Sequence, residues 1–409
     1  MRRVVVTGMG VISALGEGCE ATARALREGR SGIGPLKNGS PGRLRVAVAA
    51  AVNDFDAASR FERQELTVMD RFTQFATVAA REAMAQSGLG SVEGWRAKAG
   101  VVMGSCVGGQ STEDEGFAAL YREGRPGVSP FTVPRVMANA PASQVSLEFK
   151  LHGPSFAVAS ACSSANHAIG LAFQFVRSGT SDVMLAGGAE APLSFGHLKA
   201  WEALRVLAPD TCRPFSVERR GLVLGEGSAV LVLESLEHAQ ARGATILGEI
   251  AGFGTSSDAS HITQPCANGA ADALRRALED AGVSPEEVNY VNAHGTGTKA
   301  NDSTEVRALR NVFGDRLAEV PVSSTKSLHG HVLGATGAVE AVATLLAMRE
   351  GFLPPTAGFL GPDPECAIDV VPNEARPAKV EVALSNNFAF GGLNAVLVFR
   401  RWSGAGRPA

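Results

Sequence analysis

The sequence predicts a layered α/β protein with mainly parallel strand pairing. Short β-branched runs alternate with longer amphipathic stretches along the whole chain, as in successive strand–helix–strand units. The alternation starts afresh near residue 245, so the pattern runs through two halves. With 409 residues, 45% of them hydrophobic and 19% charged, the chain can fill more than one ordinary core and has no composition of disorder.

Taken in order, Val4 to Thr7 reads as a strand that ends in a tight turn at Gly8-Met9-Gly10. GMGVIS partly matches a dinucleotide-binding glycine motif. Ser13 replaces its third glycine, however, and no strand frames the acidic residue that should follow, which favours the turn. Residues 30–45 are rich in Gly, Pro and Ser and read as loop. Asp70 to Gly88 is a helix with Phe72, Phe75, Ala76, Ala79, Ala83 and Met84 on one face. Ala99 to Met103 is a buried strand, and Pro141 to Leu151 a helix with proline in its first turn. Val183 to Ala186 and Ser228 to Glu234 are strands. The stretch between them from Gly196 to Phe215 reads as irregular. The second series runs strand Ile246 to Ala251, helix Ala270 to Gly282, strand Val288 to Ala293 and helix from Ser303. It continues with strand Val320 to Ser323, helix Gly334 to Arg349 and a strand pair closing at Val396 to Arg400. The tail 403–409 is expected to be disordered.

Several function classes are excluded early. A net charge of −3 and 6% aromatic residues give neither a polyanion-binding field nor a stacking stripe, so no nucleic acid is expected. No segment approaches the roughly 18 apolar residues of a membrane span. The apolar run in MRRVVVTGMGV is too short and broken for a signal peptide. The cysteines (19, 106, 162, 212, 266, 366) are scattered singly with no CxxC pair. That argues against disulfides and structural zinc, predicts no metal, and suits the reducing cytoplasm.

The chemistry concentrates in four segments. In Phe156 to Gly170 (FAVASACSSANHAIG) an apolar run, read as a buried strand, turns into a helix with Ile169, Phe173 and Val176 at helical spacing. Cys162 sits at that junction, where unpaired helix N–H groups bias a thiol toward thiolate and Ser163 and Ser164 can cap the first turn. A buried structural cysteine is the competing reading. Three later segments place polar residues at strand ends. The first has His294 with Thr296 and Thr298 between glycines, then Asp302 and Glu305. The second has Lys326, His329 and His331, followed by Gly334, Gly337 and Glu340, which neutralises Lys326 if the chain folds back. A surface lysine is the alternative there. The third, NNFAFGGLN, carries Phe390 and Gly391 in a tight bend or a mobile gate. One cysteine, two well-framed histidines and a lysine at strand–helix junctions fit nucleophilic acyl chemistry, with imidazoles stabilising an oxyanion or handling a proton.

VASACSSANHAIG, VNAHGTGTKANDSTE, STKSLHGHVLGATGAVE and NNFAFGGLN, in this order, resemble β-ketoacyl-[acyl-carrier-protein] synthases of the synthase I/II type, which also serve type II polyketide pathways. RRVVVTGMGVISALG matches too, so the resemblance covers about residues 1–401. It implies a thiolase-type fold: two similar halves, 1–244 with the nucleophile and 245–402 with the His/His/Lys set, in α/β/α/β/α layers. It implies a homodimer, or a heterodimer with a related subunit, paired through Ser155 to Ser160. It implies no cofactor beyond the phosphopantetheine of an acyl carrier protein. Carried over by residue, Cys162 is the acyl-accepting nucleophile. His294 and His331 bind the malonyl thioester and promote its decarboxylation. Lys326 orients the network with Glu340 as its ionic partner, and Asp302 supports it. Thr296 and Thr298 hold the phosphopantetheine arm, the N–H groups of Cys162 and Phe390 form an oxyanion hole, and Phe390 gates the Gly391-Gly392 loop.

Departures from the family pattern favour a dedicated polyketide or polyene pathway over housekeeping fatty-acid elongation. The segment Arg60 to Asp70 lacks the Lys/Arg cluster usually presented to the carrier. Leu198 stands where Phe is common, Trp201 where a small residue is common, and Cys106-Val107 replaces a Gly-Ile type pair at the pocket floor. His329 is an extra imidazole. A cysteine hydrolase has no use for two imidazoles plus a lysine, and a non-condensing chain-length subunit typically lacks the cysteine. A thiolase should carry a second catalytic cysteine in a C-terminal motif, which Cys366 does not match.

Overall fold

The computed structural model describes residues 1–37, 43–46 and 48–404. Residues 38–42 of the expected loop and 405–409 of the expected tail lie outside the described residues. Strands of the first half are β1 (Val4–Ser13), β2 (Gly100–Gly104), β3 (Ser155–Val158), β4 (Val183–Glu190) and β5 (Gly227–Ser235). Those of the second are β6 (Gly248–Ser257), β7 (Tyr290–Asn292), β8 (Val322–Ser323), β9 (Val382–Ala389) and β10 (Leu393–Arg400). One path joins them, β8-β7-β9-β10-β6-β1-β5-β4-β2-β3, with the short strand Gly16–Glu17 paired to β1. Read outward from the β6/β1 junction, each half follows the same order: its first, fifth, fourth, second and third strand. The chain therefore repeats one topology.

Pairing is mixed rather than mainly parallel. β2 pairs in parallel with β3 and β4, and β7 with β8 and β9. β1 to β5, β1 to β6, β4 to β5, β6 to β10 and β9 to β10 are antiparallel. Alternation of strand and helix in sequence does not fix strand direction, because the return strands close each sheet as antiparallel neighbours.

The helices make three further layers. α1 (Arg71–Ser87) and α2 (Ala140–Phe149) cover the outer face of the first sheet, and α3 (Ser164–Arg177) its inner face. α4 (Phe195–Leu204) lies near the site, a helix where the sequence reads as irregular. α5 (Ala267–Ala281) and α6 (Lys299–Phe313) cover the outer face of the second sheet. α7 (Thr336–Glu350) packs against α3 between the sheets. The five layers are thus α/β/α/β/α.

β1 is longer than predicted and continues through Gly8 and Gly10, with a register shift against β5 at Thr7. A Cβ at those positions would lie 2.1 Å from the Ala83 carbonyl oxygen and 1.9 Å from that of Ala79 on α1. The glycines bring sheet and helix into close contact; they do not turn the chain. Gly252 and Gly254 do the same for β6, 2.6 and 2.2 Å from the Ala277 and Ala273 carbonyl oxygens of α5. β3 is an edge strand, half-buried with Ser155 exposed, and not the fully buried strand its apolar residues suggest. No helix among the described residues is long and apolar enough to cross a membrane.

Candidate active site

Cys162 sits on a strained elbow between β3 and α3. Ala161 holds a left-handed φ of 50°, which costs a non-glycine residue about 1–2 kcal/mol. Local hydrogen bonds enforce it. The Ser160 N–H donates to Ser164 Oγ at 2.9 Å, the Ser164 hydroxyl donates to the Ala161 carbonyl at 2.6 Å, and the Ser163 hydroxyl to the Ser160 carbonyl at 2.8 Å. Both serines therefore tie the elbow and do not cap the helix as expected. The backbone N–H groups of Cys162 and Phe390 point at the sulfur. Burial nevertheless pushes the thiol up to about 11, outweighing the Lys326 charge and those two donors. The resting thiol is protonated, contrary to the thiolate bias expected of a helix start.

His331 faces it from the other half, Nε2 lying 3.1 Å from the Cys162 sulfur. Its Nδ1 accepts the Leu333 backbone N–H at 3.1 Å and lies 2.9 Å from the Thr336 hydroxyl. A backbone amide can only donate, so Nδ1 carries the lone pair and the neutral ring keeps its hydrogen on Nε2, aimed at the sulfur. Burial first, then Lys326, holds His331 well below the usual histidine range. The same two causes, with His331 as a third, hold His294 neutral. The His294 ring stands edge-on to His331 at 5.5 Å between centroids. The N–H groups of His294 and Gly295 donate to Glu305 at 2.8 and 2.7 Å, fixing the turn that presents the ring.

Lys326 is fully buried, and its ammonium donates to Glu340 of α7 at 2.5 Å. The other Glu340 oxygen accepts from Asn387 Nδ2 at 2.7 Å. The chain thus folds back as the pairing requires, which rules out a surface lysine. Burial pushes Glu340 up to about 7, against the pull of Lys326. His329 turns away and bonds the Thr325 hydroxyl at 2.9 Å; it does not line the cavity, and burial drives it down to about 3. Gly334 and Gly337 permit this packing. A Cβ would sit 2.6 Å from Glu190 Oε1 at the first and 2.3 Å from Asn166 Oδ1 at the second.

A cavity of about 210 Å³ joins Cys162, His294, His331, Thr296, Thr298 and Phe390, with Gly391 and Trp201 at its walls. The Thr296 and Thr298 hydroxyls lie 2.9 Å apart. Asp302 does not line the cavity. It accepts the N–H groups of Phe215 (2.8 Å) and Gly297 (3.2 Å), and burial raises it to about 6. Phe390 stacks on Trp201 with centroids 6.2 Å apart, and the Trp201 indole N–H donates to His197 Nε2 at 2.8 Å. Leu198 and Val107 sit one layer back, packed with Leu222, Leu224 and Leu333.

Sequence reasoning missed Thr336, Asn387, His197 and Glu190. Only Asn387, last of the three successive polar residues Ser385, Asn386 and Asn387 in β9, carried a readable signal. Donor atoms of Cys162, His294 and His331 lie within 4.8 Å of one another, the spread of a metal site. The Leu333 N–H on Nδ1 leaves His331 Nε2 protonated, with no lone pair to offer there.

Residues 1–239 match the model of the β-ketoacyl synthase N-terminal domain, and residues 247–360 that of the C-terminal domain. The chain belongs to the β-ketoacyl synthase family. It is therefore an acyltransferase of the condensing-enzyme class. The synthase is 50% identical over 400 residues to Nodulation protein E of Rhizobium meliloti (strain 1021), covering 98% of this chain and 99% of that protein. It is 41% identical over 408 residues to 3-oxoacyl-[acyl-carrier-protein] synthase 2 of Staphylococcus aureus (strain COL), again covering 98% and 99%. Among solved structures, the ishigamide ketosynthase/chain length factor superimposes with a TM-score of 0.94 at 38% identity, covering 98% of this chain and 100% of that one.

Proposed function

We propose that the synthase catalyses decarboxylative condensation of an acyl group held on Cys162 with a malonyl group on an acyl carrier protein. The observation that carries this reading is the opposition of Cys162 to a His331 whose tautomer is fixed. With hydrogen on Nε2, His331 is a hydrogen-bond donor and no base, so its part is to stabilise developing negative charge. In the first half-reaction the Cys162 sulfur attacks the acyl thioester carbonyl. The oxyanion forms against the N–H groups of Cys162 and Phe390, the carrier thiolate leaves, and the thiol proton passes to it. In the second, the malonyl thioester carbonyl lies against His294 and His331. The C–CO2 bond breaks, CO2 departs, and the resulting enolate attacks the Cys162 thioester to form the new C–C bond. The sulfur is released as a thiolate and takes a proton from solvent water. Burial first, then the Lys326 charge, keeps both imidazoles uncharged, and Glu340 anchors the lysine. Thr296 and Thr298 hold the phosphopantetheine arm, which belongs to the carrier; no resident cofactor enters. Phe390 and Gly391 form the gate, and Leu198 and Val107 back the acyl pocket.

We set the boundary between the halves at 244/245, with 1–244 carrying Cys162 and 245–402 carrying His294, Lys326 and His331; the repeated strand order on either side of it supports this reading. A dimer fits the open edge of β3, against which α2 packs with Leu147 exposed. The partner is a second copy or a related subunit. A dedicated polyketide or polyene pathway in the cytoplasm suits the departures at Trp201 and Cys106-Val107, and the 50% identity to Nodulation protein E exceeds the 41% to the synthase 2 relative. Incubation with a panel of acyl carriers, followed by intact mass and then malonyl carrier, tests this. Unsaturated or aryl-primed chains should load Cys162 in preference to saturated ones. Rapid loading of saturated chains from a housekeeping carrier would instead make it an elongation enzyme.

A further inference from the structure

The segment Arg60 to Asp70 is a poor cationic surface in the folded chain: Arg63 is its one arginine without a carboxylate partner among the described residues, and it lies between Glu62 and Glu65. Arg60 pairs with Glu17, and Arg81 beside it pairs with Glu148 and Glu65. A different surface near the cavity mouth carries free positive charge. α6 begins beside Thr298, whose side chain both lines the catalytic cavity and caps the helix, accepting the Asn301 N–H at 3.3 Å. From there it runs outward with Lys299, Arg307 and Arg310 exposed. At 100° per residue the three fall within an arc of about 80°, and at 1.5 Å per residue they extend over about 16 Å.

None of the three cations forms an ion pair with a carboxylate among the described residues. The Arg307 guanidinium instead contacts the Thr304 hydroxyl at 2.9 Å. The helix's own acidic residues, Asp302 and Glu305, are buried and occupied by backbone N–H groups. The cluster stands out in a chain whose net charge is −3, so it is a local feature and not a general basic field.

Arg307 and Arg310 also wall an open groove lined by no carboxylate, and Gln264 and Pro265 line both that groove and the catalytic cavity. A thioester arm with its acyl end at Cys162 can therefore leave past Gln264 and Pro265 directly onto this face of α6.

We propose that Lys299, Arg307 and Arg310 form the docking surface for the acidic carrier protein, pairing with its acidic side chains and with the phosphodiester that joins the arm to it. This rests on the reading that substrates arrive as carrier-bound thioesters. The α6 face replaces the cationic cluster absent from Arg60 to Asp70.

The test follows acylation of Cys162 by intact mass in the full chain, with octanoyl groups delivered by N-acetylcysteamine or by acidic bacterial acyl carrier proteins. For R307E/R310E, kcat/KM with the carrier should fall about 10-fold or more, and the steep salt dependence of the parent should flatten, because charges at an interface rim act mainly on association. Loading from octanoyl-N-acetylcysteamine, which has neither phosphate nor protein, should stay within about 2-fold, and R307K/R310K should recover most of the carrier rate. An unchanged carrier rate overturns the proposal. An equal loss with both donors, or loading from N-acetylcysteamine but from no carrier, also overturns it. Failure of the parent to be acylated by any donor defeats the condensing reading itself.

Discussion

After β3 the chain reaches the central helix α3 through Ala161 and Cys162; after β8 the equivalent passage reaches α7 through Leu333 and Gly334. Both turns hold a non-glycine residue at positive φ, 50° at Ala161 and 45° at Leu333, three residues before the helix begins. The backbone device is the same, and the side chains it presents differ. The first turn carries a thiol. The second carries a glycine, because a Cβ there would meet the Cys106 amide and Glu190. Before it lies an added stretch with Lys326 and His331. A duplicated frame thus brings two helix starts together, one carrying the Cys162 thiol and the other preceded by Lys326 and by His331, whose Nε2 faces that sulfur.

Substitutions on the two sides should separate accordingly. Cys162→Ala should lower condensation by about 10⁴-fold or more, with no acyl-enzyme visible by intact mass. Lys326→Met leaves Glu340 buried without its partner and should cost about 3–5 kcal/mol in chemical denaturation. Substantially unchanged stability would mean the pair is not the buried ionic link between the segments. His331→Ala should slow condensation about 10²- to 10³-fold while sparing acylation, since its tautomer makes it no base for the thiol. Loss of acylation as well would erase the distinction between the two turns.

Glu190 lies between the turns, accepting the Cys106 and Val107 N–H groups with its other oxygen unpartnered; burial raises it to about 7. The unfolded chain releases this proton near 4.5, so between pH 4.5 and 7 the folded state binds more protons and stability falls as pH rises. Glu190→Gln should remove at most about 3 kcal/mol of that decline, read as denaturation midpoints across the window. An unaltered slope would place the titration elsewhere, at Glu340 or Asp302, which shift in the same direction. The smallest effect concerns the repeat itself. Gly10→Ala and Gly254→Ala press a methyl onto the same kind of helix carbonyl in each half, and each should cost about 1–3 kcal/mol. A large effect in one half alone would argue against equivalent packing.

Much of this is legible in the amino-acid sequence. The helices α1 and α5 declared themselves by apolar residues on a single face. The polar residues of the site stood out because they interrupt strand ends, and Lys326 with Glu340 was readable as a conditional pair. What escaped depends on neighbours distant in sequence. Gly8 and Gly10 look like a turn until α1 lies against them. Phe195 to Leu204 looks irregular because little of that helix is buried, Leu198 excepted. The helix start at Cys162 suggested a thiolate, but a helix terminus contributes about 0.3–1 kcal/mol, less than taking a thiolate out of water costs. The tautomer of His331 hangs on one backbone N–H, and no spacing in the sequence could announce it.

The most direct test of the divided labour measures both half-reactions in the same two variants: acyl-enzyme by intact mass, and CO2 released from radiolabelled malonyl carrier. Cys162→Ala should still release CO2 while forming no acyl-enzyme, and His331→Ala should form acyl-enzyme while releasing almost no CO2. If either substitution abolishes both, the two turns do not act separately and the account is wrong.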